Sequence, residues 1–544
     1  MGVFRFSSYV LTRYGSSVYN IYLQRIKESF LYKTNIDHFA IDGNVIFHKC
    51  IYKVLEKETE YNDMVKLKMF NSITEYIDTL VNIVNPKQTL IFSIDSTPPL
   101  CKNQQQRKRR FSNDKKSQSI FDTNNITFGT EFMNQLSQYI EAHMKNIIRI
   151  RPYLTVIFTS DRSNTGEGEH YLIRTMEKKF NTEKDNFCIY SIDADVIFIA
   201  LVSKIKNIYI FKENLFQKNK NTEPDFYVND IDKLRKLLIN ELKWNDDINN
   251  EFNNEKCIID FTILCFLLGN DFLPYLRSIS IASKGLNVMI NNYPRINKHL
   301  CIIKPNGTID LDIEILMKYL KLISSEEKNL LLNQYENERV KYPDELLINS
   351  LYTSSKSILC IDLSKYKVQY YQNKLKFKNI TNESNIYDSK EIKNLCIDYM
   401  RTMKFIINYY VNSLPDAKFS FNYHYGPFAS DIINHIDIKI DHNEINKDFI
   451  CNDFGDRNLM LTTVLPPDSF SLLDKTMVEF INNNRDLYNY NVEYDYAGCI
   501  ESYEKIVITD LIDINKLEKR AKEYGLLLDS KIKKPVIMRK ALKK

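Results

Sequence analysis

The chain has 544 residues, which is too long for one ordinary hydrophobic core and indicates at least two domains. Its 74 basic and 69 acidic residues leave a net charge of only +5, so any polyanionic partner must be inferred from local charge patterns. Ten scattered cysteines without a C-x-x-C pair argue against zinc and a disulfide framework, and they favour a reducing, intracellular compartment. We expect the cytoplasm rather than the nucleus, and no membrane span, because no apolar run approaches roughly 18 to 20 residues.

Strand-like and helix-like segments alternate from about residue 36 to about residue 210. The predicted strands contain the runs HFAID, TLIFSID, TVIFTS and FCIYSID, and helices are predicted near residues 63–83, near residues 130–149 and from about residue 168. Such alternation is typical of a parallel sheet with crossover helices. The sequence therefore predicts an α/β fold, with one mainly parallel sheet over residues 36–275 and helices on both of its faces.

Carboxylates follow the predicted strands at the points where the strands should end. They are Asp42 after HFAI, Asp95 after TLIFSI, Glu167 and Glu169 after TVIFTS, and Asp193 and Asp195 within FCIYSIDADVIFIALV. This last stretch, residues 187–202, reads for most of its length like a buried strand, where an unpaired carboxylate is costly. A single D-x-D is more typical of a turn, and the two glutamates alone would be read as helix caps. Because ligands bind at the carboxyl edge of parallel strands, the repeated pattern predicts that these acids converge on one site.

A seventh carboxylate follows an apolar helix later in the chain. The stretch IIDFTILCFLLGNDFLPYL reads as a helix halted by Gly269 and Asn270, which places Asp271 at its end. Seven acids with no matching basic cluster would repel one another, so divalent cations are the expected neutraliser. Oxygen ligands without cysteine or histidine favour Mg²⁺ or Mn²⁺ over zinc. Two such ions about 3.5 to 4 Å apart are the usual arrangement for hydrolysing a phosphodiester, so the acids predict a nuclease.

A basic segment begins a few residues after Asp95. Between Lys102 and Lys116, in CKNQQQRKRRFSNDKK, the chain has seven basic residues and one acid. Such runs are usually solvated faces or targeting signals, and RKRR alone fits either of them. The glutamines and the closeness to Asp95 favour instead a phosphate pocket beside the acids.

Eight sequence blocks in a fixed order are similar to one protein family. The blocks are DGNVIFH, IDSTPPLCKNQQQRKRRF, FDTNNITFGTEFM, GEGEH, IDADVIFIAL, LLGNDFLP, HYGPFASD and VLPP. In this order they resemble the XRN family of 5′→3′ exoribonucleases, from MGVFRF at the start to near residue 520. The resemblance implies an enzyme that degrades single-stranded RNA carrying a 5′-monophosphate to mononucleotides by two-metal-ion hydrolysis. The abundance of Asn, Lys and Ile is typical of an AT-rich genome, and a minimal viral or protist member is expected.

The resemblance also implies roles for individual residues. Two Mg²⁺ or Mn²⁺ ions would be held by seven acids, namely Asp42, Asp95, Glu167, Glu169, Asp193, Asp195 and Asp271. The 5′-monophosphate would be bound by Lys102, Gln106, Arg109 and Arg110, and His48 would stack on the terminal base. On a helix those four pocket residues follow i, i+4, i+7 and i+8 spacing and share one face, whereas Lys108 points elsewhere. Without the family, His48 would equally be read as a packed or capping histidine.

The resemblance implies a catalytic domain like those of PIN and flap nucleases, together with a second, mostly helical conserved region. We place the catalytic domain at residues 1–340 and the second region at residues 341–544, packing on and enclosing the active site. The residues from 310 to about 340 read as amphipathic helix, and YYQNKLKFKNITNESNIYDSKEI reads as loop. The single tryptophan, Trp244, lies in a polar loop, so the second stacking residue stays open; Phe419 is a candidate, although core packing fits it better. We expect a monomer.

Two other functions stay open from the sequence. A flap-type, structure-specific DNA nuclease would have a similar acidic site at a sheet edge, but the QQQRKRR, HYGPF and VLPP blocks disfavour it. A non-catalytic RNA-binding scaffold derived from a nuclease would be expected to have lost acids first, and all seven are present here. Incubation with Mg²⁺ and RNAs that differ at the 5′ end would separate the three functions.

Overall fold

The computed structural model describes residues 2–112, 120–162, 166–214, 223–244, 252–450, 452–453, 455–488, 490–526 and 534–539. Its strands, in chain order, are β1 (Val18–Ile21), β2 (His38–Asp42), β3 (Thr89–Ser93), β4 (Thr155–Thr159), β5 (Phe187–Tyr190), β6 (Ile208–Glu213), β7 (Phe226–Asp230), β8 (Cys301–Ile303), β9 (Ile309–Leu311), β10 (Leu351–Thr353), β11 (Leu359–Ile361), β12 (Val492–Asp495), β13 (Ile506–Thr509) and β14 (Val536–Met538). Its α-helices are α1 (Phe6–Arg13), α2 (Phe30–Thr34), α3 (Asn44–Leu55), α4 (Asp63–Val84), α5 (Leu100–Phe111), α6 (Glu131–Ile150), α7 (Gly168–Lys179), α8 (Asp195–Val202), α9 (Ile231–Leu242), α10 (Asn254–Phe266), α11 (Gly285–Asn292), α12 (Ile313–Ser324), α13 (Glu327–Tyr335), α14 (Glu345–Ile348), α15 (Leu363–Asn373), α16 (Glu383–Tyr387), α17 (Lys390–Ile407), α18 (Ala429–His435), α19 (Ile438–Ile445), α20 (Arg457–Val464), α21 (Lys475–Asn483) and α22 (Ile514–Glu523).

The chain folds into two compact units, and each unit is built from segments that are distant in sequence. The sheet unit contains residues 7–236, 453–490 and 512–544. The helical unit contains residues 1–6, 237–452 and 491–511. The boundary expected near residue 340 falls inside a continuous segment of the helical unit, and a division of function at that residue stays a prediction.

An eight-stranded sheet forms the centre of the sheet unit, in the order β1-β7-β6-β5-β2-β3-β4-β14. The five strands from β6 to β4 run parallel to one another, whereas β7, β1 and β14 add antiparallel edges. Every residue of β2 and β3 is buried. Because successive side chains of a strand point to opposite faces, both faces of the sheet are covered at these strands. The predicted α/β fold with a mainly parallel sheet is confirmed.

The carboxyl ends of the central strands are level with one another. In the pairing register, Asp42 lies opposite Ser93, and Ser93 lies opposite Thr159. On the other side of β2, Ile41 lies opposite Tyr190, the last residue of β5. The segments that follow these strands therefore begin at one edge of the sheet, which is where the acids occur in the sequence.

Helices α4, α6 and α7 lie close to where the apolar spacing predicted them. Asn62 caps α4 by accepting a hydrogen bond from the backbone N–H of Val65. Thr130 caps α6 in the same way, accepting from Met133. Such caps satisfy backbone donors that have no partner within the helix. Both helices bury their apolar faces in the core that covers the sheet.

The apolar stretch at residues 187–202 is a strand for only four residues. β5 ends at Tyr190, and the remainder forms the connection to α8, whose residues from Asp195 to Leu201 are all buried. A uniformly apolar run has no periodicity that separates a buried strand from a buried helix. The strand prediction was therefore wrong for the second half of this stretch.

Two strands of the sheet lie outside residues 36–275, where the sequence predicted the whole sheet. β1 and β14 form its two edges, and β14 is paired with β4. Conversely, residues 237–275 belong to the helical unit. These edge strands have only four and three residues, so neither has a hydrophobic alternation long enough to reveal it in the sequence.

Helix α5, which carries the basic segment, is fixed within the sheet unit by α20. Arg107 is fully buried, and its Nη1 donates to the backbone carbonyl of Thr463 at 2.7 Å. The Arg107 guanidinium also lies 4.1 Å from the ring centroid of Phe111. Asn103 Oδ1 accepts a hydrogen bond from Thr463 Oγ1 at 2.8 Å. One side of α5 is thus used for packing, which fixes the direction in which its other residues project.

The helical unit repeats one hairpin-and-helix arrangement. The β8–β9 hairpin leads into α12, and the β10–β11 hairpin leads into α15. Asp312 and Asp362 cap these two helices by the same contact, accepting from the backbone N–H three residues later. Each hairpin turn contains one left-handed residue, Gly307 with φ 79° and Ser357 with φ 58°. Helix α15 includes YYQN at residues 370–373, which was expected to form a loop.

Trp244 lies outside the helices and strands, as expected, but its surroundings are not those of a polar loop. Its side chain is buried, with the ring of Phe252 at a centroid distance of 4.7 Å and that of His299 at 4.9 Å. The polar residues next to Trp244 in the sequence gave no indication that its side chain is buried, so the polar-loop interpretation was wrong for this side chain.

No helix within the described residues is long and apolar enough to cross a membrane. The nine cysteines in the described part of the chain are all free thiols, as their scattered spacing predicted. All of them are buried except Cys360, which is partly exposed.

Candidate active site

Six of the seven predicted acids lie in the sheet unit, and the first four follow β2, β3 and β4. Asp42 is the last residue of β2, and Asp95 comes two residues after the end of β3. Glu167 is the N-cap residue of α7, and Glu169 lies in the first turn of that helix. Asp42, Glu167 and Glu169 are all buried. The positive end of the α7 dipole favours carboxylates at this position.

Ser191 connects Asp42 to the backbone of Asp193, and Asp195 lies two residues later. Asp193 lies in the connection between β5 and α8, and Asp195 is the first residue of α8. Ser191 Oγ donates a hydrogen bond to Asp42 Oδ2 at 3.2 Å and accepts one from the backbone N–H of Asp193 at 3.3 Å. One hydroxyl therefore fixes the end of β2 to the loop that carries the D-x-D pair.

Gly168 brings α7 against the carboxylates of β2 and β3. Its backbone N–H donates to Asp95 Oδ1 at 2.7 Å. A Cβ atom at this position would lie 3.1 Å from Asp95 Oδ1 and 3.5 Å from Asp42 Oδ1. Both carboxylates therefore meet at the first turn of α7, and the absence of a side chain at residue 168 permits this approach.

Electrostatic repulsion acts among five of the acids, namely Asp42, Asp95, Glu167, Glu169 and Asp193. Burial raises the pKa of Asp42 well above its usual value, and the charges of Asp95 and Asp193 raise it further. Burial also raises the pKa of Asp95 to about 6, with contributions from Glu167 and Asp193. The pKa of Glu169 is raised well above normal by burial first and by Glu167 next. Buried carboxylates that repel one another in this way create a strong demand for positive charge.

Lys102, in the first turn of α5, supplies one positive charge to this cluster. Its Nζ lies 2.7 Å from Glu167 Oε2, and the two side chains are only 12% and 4% exposed. The same ammonium group opposes the rise in the pKa values of Asp95 and Glu169. Helix α5 therefore reaches the acids directly, as the short spacing after Asp95 predicted.

Lys212 is a second buried cation at this edge, and sequence reasoning did not identify it. Its Nζ donates to the backbone carbonyls of Asp193 at 2.7 Å and Ile192 at 3.3 Å, and to Ser7 Oγ at 3.3 Å. Burial lowers the pKa of Lys212 to about 8, while the charges of Asp193 and Asp195 oppose this change. The available signal was a lysine directly after the apolar run IYIF at residues 208–211, because a lysine in such a run needs buried partners.

The donor set of the cluster fits a hard divalent cation. All six side chains offer carboxylate oxygens, and the buried Asp42 Oδ1 has no hydrogen-bond partner among the described residues. As the side chains stand, no three His, Cys, Asp or Glu residues in the described part of the chain are grouped to hold an ion. Gly168, Ser191 and Lys102 occupy several of the carboxylate oxygens instead. A bound cation would replace some of these contacts.

Three of the four predicted phosphate-binding residues lie beyond Lys102 on α5. Arg110 is buried, and its guanidinium donates to Gln106 Oε1 at 3.2 Å and to Thr127 Oγ1 at 3.1 Å. Burial lowers the pKa of Arg110 to about 9, the neighbouring charge of Arg109 lowers it further, and Asp95 opposes the change. Arg109 is exposed. The basic pocket and the acids are therefore close enough to influence one another.

Lys108 differs from these residues in its surroundings. It is partly buried, and burial lowers its pKa to about 8 without a contribution from a carboxylate. It thus lies apart from the acid cluster, although it is not a fully solvated side chain.

His48 lies on α3 and faces the basic end of α5. Burial by surrounding atoms lowers its pKa to about 4, and the charges of Arg109 and Arg110 contribute. The residue nevertheless has an exposed surface. Its ring is nearly parallel to that of Tyr52, one helical turn later, at a centroid distance of 6.3 Å. Tyr52 is 49% exposed, and sequence reasoning did not identify it.

Asp271, the seventh predicted acid, belongs to the helical unit. It follows α10 after Gly269, whose φ of 85° lets the chain turn there. Asp271 Oδ1 accepts a hydrogen bond from the backbone N–H of Gly2, in the same unit, at 3.0 Å. Its participation in the acid cluster stays a prediction.

Two curated relatives illustrate how far the similarity extends. The 5'-3' exoribonuclease 1 of Homo sapiens is 24% identical over 600 residues, covering 95% of this chain and 34% of that protein. The 5'-3' exoribonuclease 1 of Saccharomyces cerevisiae is 24% identical over 686 residues, covering 96% of this chain and 43% of that protein. The chain therefore spans less than half the length of these two relatives.

Among solved structures, the catalytic core of Rad2 in complex with DNA substrate is similar with a TM-score of 0.32 and 15% identity, over 62% of this chain and 79% of that one. A similarity at this level adds nothing to the site. Two family profiles match most of the sequence: XRN 5'-3' exonuclease N-terminus at residues 1–120 and 113–214, and Xrn1 helical domain at residues 251–358 and 361–534. With both profiles matched in order, the chain belongs to the XRN 5′→3′ exonuclease family.

Proposed function

We propose that this chain is a metal-dependent 5′→3′ exoribonuclease that hydrolyses RNA bearing a 5′-monophosphate and releases mononucleotides. The observation that supports the proposal is the meeting of Asp42 and Asp95 at the first turn of α7, where the basic helix α5 contacts Glu167 through its ion pair with Lys102. The names of the relatives support an exoribonuclease. Since the chain covers only part of their length, the activity itself is the first point to test.

The acids would hold two Mg²⁺ or Mn²⁺ ions, with Asp271 as the seventh ligand. Such ions supply an activated water and neutralise the charge that develops on the phosphodiester. The chain's own contribution is to hold the carboxylates in place. Ser191 fixes Asp42, the backbone N–H of Gly168 fixes Asp95, and Lys212 fixes the backbone at Asp193.

The pocket on α5 would define the 5′ end of the substrate. Lys102, Gln106, Arg109 and Arg110 would donate to a terminal monophosphate, and each charge-assisted hydrogen bond contributes roughly 1.5 to 3 kcal/mol. Arg110 is already oriented by Gln106 and Thr127, so less side-chain entropy would be lost on binding. A closed pocket would exclude a triphosphate or a cap by size.

The aromatic pair on α3 would bind the terminal base. His48 is held neutral, because its pKa is lowered to about 4, and a neutral ring stacks on a base without competing for the phosphate. Stacking of a base on an aromatic ring contributes about 1 to 3 kcal/mol and is sequence-tolerant. Tyr52 extends the same exposed surface by one helical turn.

We also propose that the protein acts as a monomer in the cytoplasm. The free thiols in the described part of the chain support a reducing compartment.

The function is tested with one RNA labelled at its 5′ end or at its 3′ end, in Mg²⁺ or in EDTA. A 5′→3′ exonuclease releases the 5′ label as mononucleotide at once, whereas the 3′ label stays in long fragments until late. EDTA should abolish both signals. A flap-type DNA nuclease would instead cleave a branched DNA in preference to the RNA, and a scaffold would bind the RNA without cleaving it.

A further inference from the structure

Lys102 pairs with an acid of the cluster and is also a residue of the proposed phosphate pocket. The inference drawn from this rests on the proposed function. We propose that Lys102 is an internal counter-cation of the acid cluster, which an incoming 5′-phosphate draws away from Glu167. Binding of the phosphate and binding of divalent cations would then be coupled. The 5′-monophosphate would be needed to complete the metal site as well as to dock the RNA.

Lys102 and Glu167 form a short and largely buried ion pair. Lys102 Nζ lies 2.7 Å from Glu167 Oε2, and both side chains are largely excluded from water. A charge-assisted contact in such surroundings is stronger than one at the surface. Glu167 therefore has a resident cation that any metal ion must displace.

The ammonium group of Lys102 is also one of the four proposed donors to the 5′-phosphate. Lys102 lies one helical turn before Gln106 on α5, and Arg110 follows one turn later. A lysine carries three donors on a flexible stem, so it can turn towards a phosphate without movement of the helix. A dianionic phosphate held at Gln106 and Arg110 would compete with Glu167 for this group.

Movement of Lys102 from Glu167 to the phosphate would leave the neighbouring carboxylates without this positive charge. Asp42 Oδ1 is buried and has no hydrogen-bond partner among the described residues. When Lys102 turns away, the Glu167 carboxylate would lose its ammonium counter-ion beside Asp42, Asp95 and Glu169. Phosphate docking would thus leave the charge of Glu167 to be neutralised by a divalent cation in place of Lys102.

The coupling is tested by calorimetric titration of Mn²⁺ into the full chain at pH 8, alone and with saturating adenosine 5′-monophosphate. Adenosine without the phosphate is the control ligand. We expect the monophosphate to tighten Mn²⁺ binding about tenfold, which corresponds to the release of one charge-assisted contact of about 1.4 kcal/mol. Adenosine should leave the Mn²⁺ affinity unchanged.

The variant Lys102→Met separates this coupling from direct contact between phosphate and metal. It should bind Mn²⁺ about tenfold more tightly than wild type in the absence of nucleotide, and the monophosphate should then add little. Lys108→Met removes a positive charge from the same helix without freeing a carboxylate. That control should behave like the wild type in both titrations.

Three results would overturn the coupling. They are equal Mn²⁺ affinities of the wild type with and without monophosphate, a weaker Mn²⁺ affinity of Lys102→Met, or a full monophosphate effect that persists in this variant. Failure of the proposed function would look different. In that case the monophosphate would not bind the wild type at all, as measured by a separate nucleotide titration without metal.

Discussion

Asp42 combines burial, a raised pKa and an unpartnered carboxylate oxygen in one side chain. It ends a fully buried strand, its pKa is raised well above normal by burial and by Asp95 and Asp193, and its Oδ1 has no partner among the described residues. An unsatisfied buried oxygen costs about 1 to 3 kcal/mol, and more when it is charged. A bound cation, as proposed for this site, would offset this cost.

Asp193→Ala should abolish turnover while RNA binding largely survives. The loss of a metal ligand removes charge stabilisation in the transition state, so we expect the rate to fall by at least about 10²- to 10³-fold. The pocket on α5 does not depend on this side chain, and RNA affinity should stay within about threefold, a difference below 1 kcal/mol. Rates are measured under single-turnover conditions, and affinity by fluorescence anisotropy in Ca²⁺ or EDTA. Near wild-type turnover would remove Asp193 from the site.

Lys212 is expected to position the D-x-D loop without touching the substrate. Lys212→Met loses the donors to the carbonyls of Ile192 and Asp193, and such supporting contacts typically change metal affinity or activity by about 10- to 100-fold. We expect a fall in kcat and in Mn²⁺ affinity with little change in the KM for RNA. Lys212→Arg should restore part of the activity.

Ser7→Ala is the matched control for Lys212. It removes the third partner of the ammonium group, Ser7 Oγ at 3.3 Å, but leaves both loop carbonyls bound. Its metal affinity should equal that of the wild type. A rise in KM alone in Lys212→Met would instead assign the residue to substrate binding.

At the scale of secondary-structure elements, the site depends on how closely α7 approaches the ends of β2 and β3. The first residue of α7 is a glycine, and it adopts no left-handed conformation. Its lack of a side chain therefore serves the close approach to Asp95 and Asp42 rather than the backbone geometry.

Gly168→Ala should consequently impair metal binding and turnover without lowering the stability of the fold. Alanine is a better helix former than glycine by up to about 1 kcal/mol, so the melting temperature should not fall. The new methyl group would lie 3.1 Å from Asp95 Oδ1, and we expect Mn²⁺ affinity and turnover to fall at least about tenfold. Calorimetry and single-turnover rates provide the two readouts.

Gly15→Ala is the control for this substitution, since no atom lies within 4 Å of the new methyl group. Unchanged metal affinity in Gly168→Ala would show that the acids can move aside, and would weaken the assignment of Asp95.

The elements also show where sequence reasoning succeeds and where it fails. Amphipathic helices such as α4 and α6 were predicted nearly to the residue, because apolar spacing is a local signal. α8 was predicted as strand because burial on every side erases periodicity. Asp42 and Asp95, by contrast, lie at the ends of β2 and β3, as the shorter apolar runs before them predicted.

Across the whole molecule, the alternation of elements predicted the parallel sheet, but its edges could not be predicted. β14 pairs with β4 from a position nearly 380 residues later in the sequence, and nothing local signals that pairing. The residues that support the site, Ser191, Gly168 and Lys212, were missed for the same reason. Their roles arise from contacts across strands and loops rather than from their own neighbourhood.

The stability of the whole protein should depend jointly on pH and on divalent cations. The pKa of Asp95 is raised to about 6 from a usual value of 3.8, and burial raises those of Asp42 and Glu169 in the same direction. Carboxyl groups that bind protons more tightly in the folded state destabilise it progressively as pH rises from about 4 through about 6. Without metal, the contribution of these acids therefore falls between pH 5 and pH 8.

Mg²⁺ should offset this loss, so the gain in melting temperature on adding Mg²⁺ should be larger at pH 8 than at pH 5. A difference of about 1 °C or more is expected if the effect exceeds 1 kcal/mol. Thermal scans in EDTA and in Mg²⁺ at both pH values measure it. The Asp193→Ala protein should lose most of the Mg²⁺ effect, and an equal gain at both pH values would contradict the shared acid site.

The central claim, that a basic pocket beside buried acids selects a 5′-monophosphate, is tested most directly by the 5′ end of the substrate. One RNA bearing a 5′-monophosphate, a 5′-triphosphate or a 5′-hydroxyl is degraded in Mg²⁺ by the wild type and by Arg109→Ala, Arg110→Ala and Lys108→Ala. The wild type should degrade the monophosphate form at least about tenfold faster than the others, which corresponds to one charge-assisted contact. Both arginine variants should slow that reaction and reduce the preference, while Lys108→Ala should retain it. Equal wild-type rates on all three RNAs would show that the basic segment is a general backbone-binding face and that the pocket assignment is wrong.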